Sequence, residues 1–166
     1  KTGHNKYAAA AGPMAEVVRL STSNLTDEDA KSIAVYLKDV SDNHRPEQAS
    51  ADQNVLKAGG AIYVDLCAAC HRKDGQGVPN LFPRLSDVAT VAATDPTTVL
   101  RVILKGTSTV ATKREPTGPG MPAFGWQLND EQVAAVASYV RNHFGHGSAV
   151  TPEQVRKERS AIARTE

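Results

Sequence analysis

Both cysteines of the 166-residue chain lie in one pentapeptide, Cys67-Ala68-Ala69-Cys70-His71. Two thiols three residues apart share one helical turn. From there they can reach the two vinyl groups on one edge of a porphyrin and form thioethers. The adjacent histidine then lies under the ring and offers a nitrogen to the iron. C-x-x-C-H is the attachment signature of a c-type haem. Other uses of the pattern lack their setting. A redox C-x-x-C belongs beside a strand in a βαβ unit, and none is visible. A zinc site needs ligands from a second cluster, and no other cysteine exists. The residues therefore point to one haem c, tethered through Cys67 and Cys70 and bound at its iron by His71.

A sixth iron ligand is expected from the Gly/Pro-rich stretch TGPGMPAFGW, where Met121 follows His71 by 50 residues. A soft thioether opposite an imidazole is the ligand pair of electron-transfer cytochromes, where it raises the potential of the iron. That stretch is too rich in Gly and Pro to be a core helix, which argues against simple core filling by Met121. After His71, the run KDGQGVPNLFPRL turns at Gly75 and Gly77, and a carbonyl near Pro79 or Pro83 could accept the second His71 N–H. Pro83 is the preferred partner. His4 and His44 lie in polar segments, and His143 and His146 sit at a helix end, where a cation is favoured; all four read as surface residues. A competing function is a haem enzyme or ligand sensor with a labile sixth ligand. It would need distal hydrogen-bond donors near Met121, and only Arg114 offers itself.

Several elements must position these groups. DQNVLKAGGAIYVDLC reads as the helix leading into the cysteines, and LNDEQVAAVASYVRNHF as a second, longer one. Adjacent Gly59 and Gly60 inside the first suggest close packing against Tyr139 of the second. TDPTTVLRVILKG reads as a helix starting at Thr94 or Asp95 and stopping at Gly106. Short apolar runs at 88–93 and 99–104 are weak strand candidates, so the expected class is all-α with long loops. Residues 24–40 form a further helix, with Thr26 as N-cap and Ile33, Tyr36, Leu37 and Val40 on one stripe. Residues 1–23 show weak periodicity, with a turn at Gly12-Pro13. Residues 41–50 read as a linker, and 51–145 as a complete haem domain. Residues 146–166 read as a polar tail holding one short helix over 153–162, capped by Thr151 and Pro152.

An internal repeat adds to this. The segment from Leu25 to Lys38 aligns without gaps to that from Leu128 to Arg141, an offset of 103 residues. Each copy follows a methionine beside Gly and Pro, Met14 in the first and Met121 in the second. Residues 1–40 are therefore read as the tail of a preceding, truncated domain. The first eleven residues lack the order of an export signal, so either a signal has been removed or the chain begins partway through something larger.

Composition closes off other classes. Nineteen Lys plus Arg against 18 Asp plus Glu leave a net charge of +1, which gives no field for nucleic acid. No stretch reaches the ~20 apolar residues of a spanning helix. Aromatic residues are only 5% of the chain, a lean stock for a core unless a large apolar group completes it.

Over residues 51–145 the sequence resembles a class I cytochrome c domain. The resemblance rests on the Gly-x-x-x-Tyr approach to Cys67-x-x-Cys70-His71, Gly-x-Gly-x-Pro-x-x-Phe-Pro-x-Leu at 75–85, Gly-Met-Pro-Ala-Phe at 120–124, and the helix ending Tyr139-Val140. The whole chain resembles the C-terminal part of the three-haem cytochrome subunits of bacterial membrane-bound dehydrogenases for alcohols, gluconate, sorbitol, fructose or glucose. That resemblance implies a cytochrome c fold and an electron-transfer role rather than an enzyme active site. It implies a dehydrogenase catalytic subunit and neighbouring haem domains as partners, and a quinone or downstream cytochrome as acceptor. It also implies a periplasmic location. By the same resemblance Met14 would bind the iron of the preceding haem, yet the chain has no second C-x-x-C-H.

Overall fold

Asn129 starts the longest helix. Its side chain accepts the Gln132 N–H at 2.9 Å, and the Gln132 side chain accepts the Asn129 N–H at 2.9 Å. This reciprocal cap satisfies two donors that the first turn would otherwise leave open. In the computed structural model, which describes residues 2–5, 8–40, 51–79, 81–113, 116 and 118–164, eight α-helices and one 3-10 turn account for most of the described chain. The proposed linker 41–50, with His44 in it, and Arg114 lie outside the described residues.

In chain order the helices are α1 (Pro13–Leu20), α2 (Asp27–Asp39), α3 (Gln53–Leu66), α4 (Ala68–His71), α5 (Ala89–Ala92), α6 (Thr97–Lys105), α7 (Asp130–Gly145) and α8 (Pro152–Ala163). Helix α3 begins at Asp52, whose carboxylate accepts the Asn54 N–H at 2.8 Å. It crosses α7 in the most extensive helix pairing of the fold. The crossing runs through the two glycines. A Cβ on Gly59 would stand 2.1 Å from the Ala135 carbonyl oxygen, and one on Gly60 would stand 3.0 Å from the Tyr139 ring. Only glycine allows the helices to approach this closely.

The core gathers on α6 and α7, with Leu100, Val133, Val136 and Val140 buried together and Tyr63 reaching in from α3. Helix α8 belongs to the same cluster. Val155 is fully buried there and Ile162 packs at its edge, so the stretch expected as a polar tail closes one side of the core. Arg141 secures the turn between α7 and α8. Its buried guanidinium donates to the carbonyls of Ser148, Val91 and Thr94 at 3.1, 3.4 and 3.3 Å.

The structure departs from the sequence expectations at residues 13–20 and at a short ribbon. Residues 13–20, within the stretch read as only weakly periodic, form α1. The two short apolar runs set aside as strands are helical, as the all-α class requires: 88–93 holds the single turn α5, and 99–104 lies within α6, the helix expected to stop at Gly106. Thr107–Ser108 (β1) and Gly120–Met121 (β2) form a two-residue antiparallel ribbon, with Thr107 opposite Met121, which is too short to show alternation. Apart from that ribbon the described fold is all-α.

Helix α2 has the Thr26 cap that the sequence suggests, at 3.1 Å to the Asp29 N–H. Its apolar stripe is largely exposed among the described residues. Ile33 and Leu37 are 48% and 55% exposed, whereas their repeat counterparts on α7, Val136 and Val140, are 1% and 7% exposed. The N-terminal segment does touch the rest of the fold, through a bridge between Ala11 and Thr109.

Candidate haem site

Cys67 ends α3, and its N–H is held by the Tyr63 carbonyl at 2.9 Å. The chain then re-enters a helical turn, and the Cys70 and His71 N–H groups both point back to the Cys67 carbonyl at 3.2 and 3.0 Å. Both thiols thus sit on one turn. They are free, half-buried, and not joined in a disulfide. Burial, and then the neighbouring Cys70, push the Cys67 thiol up to about 11, so it stays protonated at neutral pH.

His71 is buried at 8% exposure. Its Nδ1 lies 2.9 Å from the Pro83 carbonyl oxygen. With Nδ1 as donor, the ring presents Nε2 as its free lone pair, the tautomer an iron ligand requires. Burial lowers the His71 pKa, with the Pro83 contact opposing that shift, so the ring is neutral and ready to ligate.

The loop that delivers Pro83 is built on glycine. Arg72 caps α4 at φ 64°, and Gly75 and Gly77 follow at φ 65° and 63°. The Gly77 N–H bonds the His71 carbonyl at 3.0 Å, and the Val78 N–H bonds the Phe82 carbonyl at 2.9 Å. A Cβ on Gly77 would stand 2.3 Å from the Phe82 oxygen and 2.7 Å from the Pro83 oxygen. A glycine there is what lets the loop fold back over the histidine. Tyr63, unnoticed for this purpose in the sequence, donates its hydroxyl to the Arg72 carbonyl at 2.6 Å.

Met121 stands on β2, partly buried at the margin of the core. Gly106, at φ 69°, makes room for it, since a Cβ there would lie 2.5 Å from the Met121 carbonyl oxygen. Beyond Met121, the Phe124 and Gly125 N–H groups bond the Ile103 and Leu104 carbonyls at 2.9 and 3.0 Å. Leu66, Cys67, Leu85, Met121 and Phe124 all pack against the core yet remain only partly covered. Such an apolar margin suits a flat apolar group, and the attachment turn offers two thiols and one neutral imidazole. The residues present fit a haem c.

The remaining candidates fall elsewhere. His143 and His146 are exposed, and Met14 is 57% exposed on α1. His4 is half-buried at the wall of a cavity of about 290 Å³ on the far side of the His71 loop, bounded also by Arg72, Val78, Phe82, Pro83 and Thr109.

Comparison with known proteins places this geometry among relatives. The family model described as Cytochrome c matches residues 56–144. The chain is 36% identical over 160 residues to the gluconate 2-dehydrogenase cytochrome c subunit of Pantoea cypripedii, covering 90% of this chain and 36% of that protein. It is 31% identical to the cytochrome c subunit of the quinone alcohol dehydrogenase of Gluconobacter oxydans, over 98% of this chain and 37% of that one. It is also 31% identical to cytochrome c-552 of Thermus thermophilus, over 64% of this chain and 78% of that protein. The chain thus spans under two fifths of the length of the two dehydrogenase subunits. No helix among the described residues is long and apolar enough to cross a membrane.

Proposed function

The chain belongs to the cytochrome c family, and on that premise we propose that it is an electron-transfer module of a membrane-associated dehydrogenase complex. The observation that carries this reading is the turn from Cys67 to His71, with His71 Nδ1 tied to Pro83 and Nε2 left for iron. Cys67 and Cys70 would tether one haem c, and His71 and Met121 would serve as its iron ligands. Bound haem supplies a single reversible electron. With His71 and Met121 as its ligands the haem would serve electron transfer, and the oxidation itself would belong to a separate catalytic subunit.

The chain's own contribution is environment. Pro83 fixes the ring plane and basicity of His71. The apolar margin from Leu66 to Phe124 keeps the site at low polarity, which with a thioether ligand favours the reduced state. Electrons enter from the catalytic subunit of a dehydrogenase, directly or through neighbouring haem domains, and leave to a quinone or a downstream cytochrome. The names of the gluconate and alcohol dehydrogenase relatives support this setting. Thioether attachment to reduced thiols follows export, which supports a periplasmic location.

Residues 1–40 are, in the same reading, the closing part of a preceding haem domain, with Met14 as its thioether. The repeat between α2 and α7 supports it, as does the exposure of Ile33 and Leu37 where their counterparts on α7 are buried.

The test is spectroscopic. The oxidised protein is expected to show the weak far-red sulfur-to-iron charge-transfer band, and Met121→Ala to abolish it and lower the potential. A protein that lacks the band and binds carbon monoxide at once when reduced would instead be a haem enzyme or sensor with a labile sixth ligand. Intact mass is expected to exceed the 17.6 kDa of the polypeptide by one haem.

A further inference from the structure

Helix α8 does more than cover the core. From its middle, Arg159 reaches into the segment that follows Met121. Its Nη1 donates to the Gly125 carbonyl at 2.6 Å, its Nη2 to the Leu128 carbonyl at 3.0 Å, and its Nε to Asp130 Oδ1 at 3.0 Å. The opposite side of the same segment is held by α6, through Phe124 N–H to the Ile103 carbonyl and Gly125 N–H to the Leu104 carbonyl. Gly125 lies between the two. A Cβ there would stand 2.6 Å from the Leu104 oxygen and 3.2 Å from Arg159 Nη1. Five hydrogen bonds from two helices thus fix Phe124, Gly125 and Leu128 and, through Asp130, the start of α7.

We propose that Arg159 is a positioning residue for the Met121 thioether, acting by clamping residues 124–128 against the end of α6. The proposal rests on the reading that Met121 is an iron ligand. A thioether is a weak ligand, so its bond to iron depends on the backbone holding the sulfur in place. Only a planar guanidinium can meet three acceptors in a fixed fork; an ammonium meets them as a point charge. Helix α8 has a separate tie to α6, the ion pair of Glu158 with Arg101, which does not touch this segment. That second tie separates clamping of the loop from simple docking of the helix.

The experiment compares Arg159→Ala, Arg159→Lys and Arg101→Ala with the parent in the haem-loaded protein. Three properties are followed: the far-red band, the rate of carbon monoxide binding to reduced iron, and hydrogen exchange at the Gly125 and Leu128 amides. Both Arg159 variants are expected to keep helical content and covalent haem. They are also expected to bind carbon monoxide and exchange those amides roughly tenfold faster, with a weaker band, because local opening becomes easier. Arg101→Ala is expected to match the parent in all three. The proposal is overturned if Arg159→Ala matches the parent, if Arg159→Lys restores parental behaviour, or if Arg101→Ala gives the same acceleration. A parent protein without the band overturns the thioether reading instead. Amide exchange, which needs no iron–sulfur bond, still decides in that case whether Arg159 holds the loop.

Discussion

The hydroxyl of Tyr63 donates to the carbonyl of Arg72 at 2.6 Å, fixing the residue that follows His71 in a left-handed conformation at φ 64°. One side chain of α3 thereby holds the exit of the haem-attachment turn. Tyr63 is fully buried, and burial, with lesser effects of Cys67, Tyr139 and Asp74, holds its phenol well above the ordinary tyrosine range. In the unfolded chain that phenol ionises near pH 10, so above that pH the unfolded state gives up a proton that the folded state keeps. Stability therefore falls as pH rises past ~10. Tyr63→Phe is expected to cost about 1 kcal/mol at neutral pH through the lost hydrogen bond, and to flatten that alkaline decline. Urea unfolding at a series of pH values from neutral to alkaline measures both.

The glycine crossing makes a sharper demand. Gly59→Ala sets a methyl group 2.1 Å from the Ala135 carbonyl oxygen, which forces α3 and α7 apart. A loss of about 1–3 kcal/mol is expected, as for overpacked cores. Because the thiols lie at the end of α3, haem incorporation is expected to fall with it. Thermal unfolding and the yield of haem-bearing protein report the two effects; unchanged values for both would contradict the crossing.

Each cysteine should contribute one thioether. Cys67→Ser and Cys70→Ser are each expected to retain covalent haem through the remaining sulfur, with the mass of one haem added. In the double variant all haem should be extractable by acidified organic solvent. Haem that stays bound to the double variant would refute covalent attachment at this turn.

The repeat offers a paired comparison. Leu37→Ala removes a side chain that is 55% exposed, and is expected to change stability by under ~0.5 kcal/mol. Its counterpart Val140→Ala removes one that is 7% exposed, and is expected to cost about 1–3 kcal/mol. Equal losses at the two positions in chemical unfolding would mean that the stripe of α2 is covered after all.

What could be read in advance was what lies close together along the chain. Cys67, Cys70 and His71 are adjacent, and Pro83 is twelve residues from His71 across a loop whose glycines announce its turns. The Thr26 cap is local in the same sense. Periodicity found the stripe of α2, but a stripe specifies a face and not the surface that covers it, so its exposure was invisible. Residues 13–20 escaped because Gly12-Pro13 reads equally well as a turn or as the first position of a helix, where proline is tolerated. The β1–β2 ribbon is shorter than any alternation can reveal. Arg159 was hidden for a different reason: on a polar helix one arginine looks like another, and its three acceptors lie 29 to 34 residues away.

That separation bears on the order in which the two sides of the site can mature. The contact between His71 and Pro83 closes a loop of twelve residues, and the Cys67–His71 turn is complete within five. Both can form as soon as that stretch of chain is available, since short loops close on the nanosecond scale. The segment after Met121 waits for α8, the last helix described, because its Arg159 contacts span the whole of α7. On the proposed ligation, the histidine side is set by local folding and the methionine side by long-range assembly. Chains that stop short of Val155 are expected to acquire covalent haem while remaining open on the side of Met121.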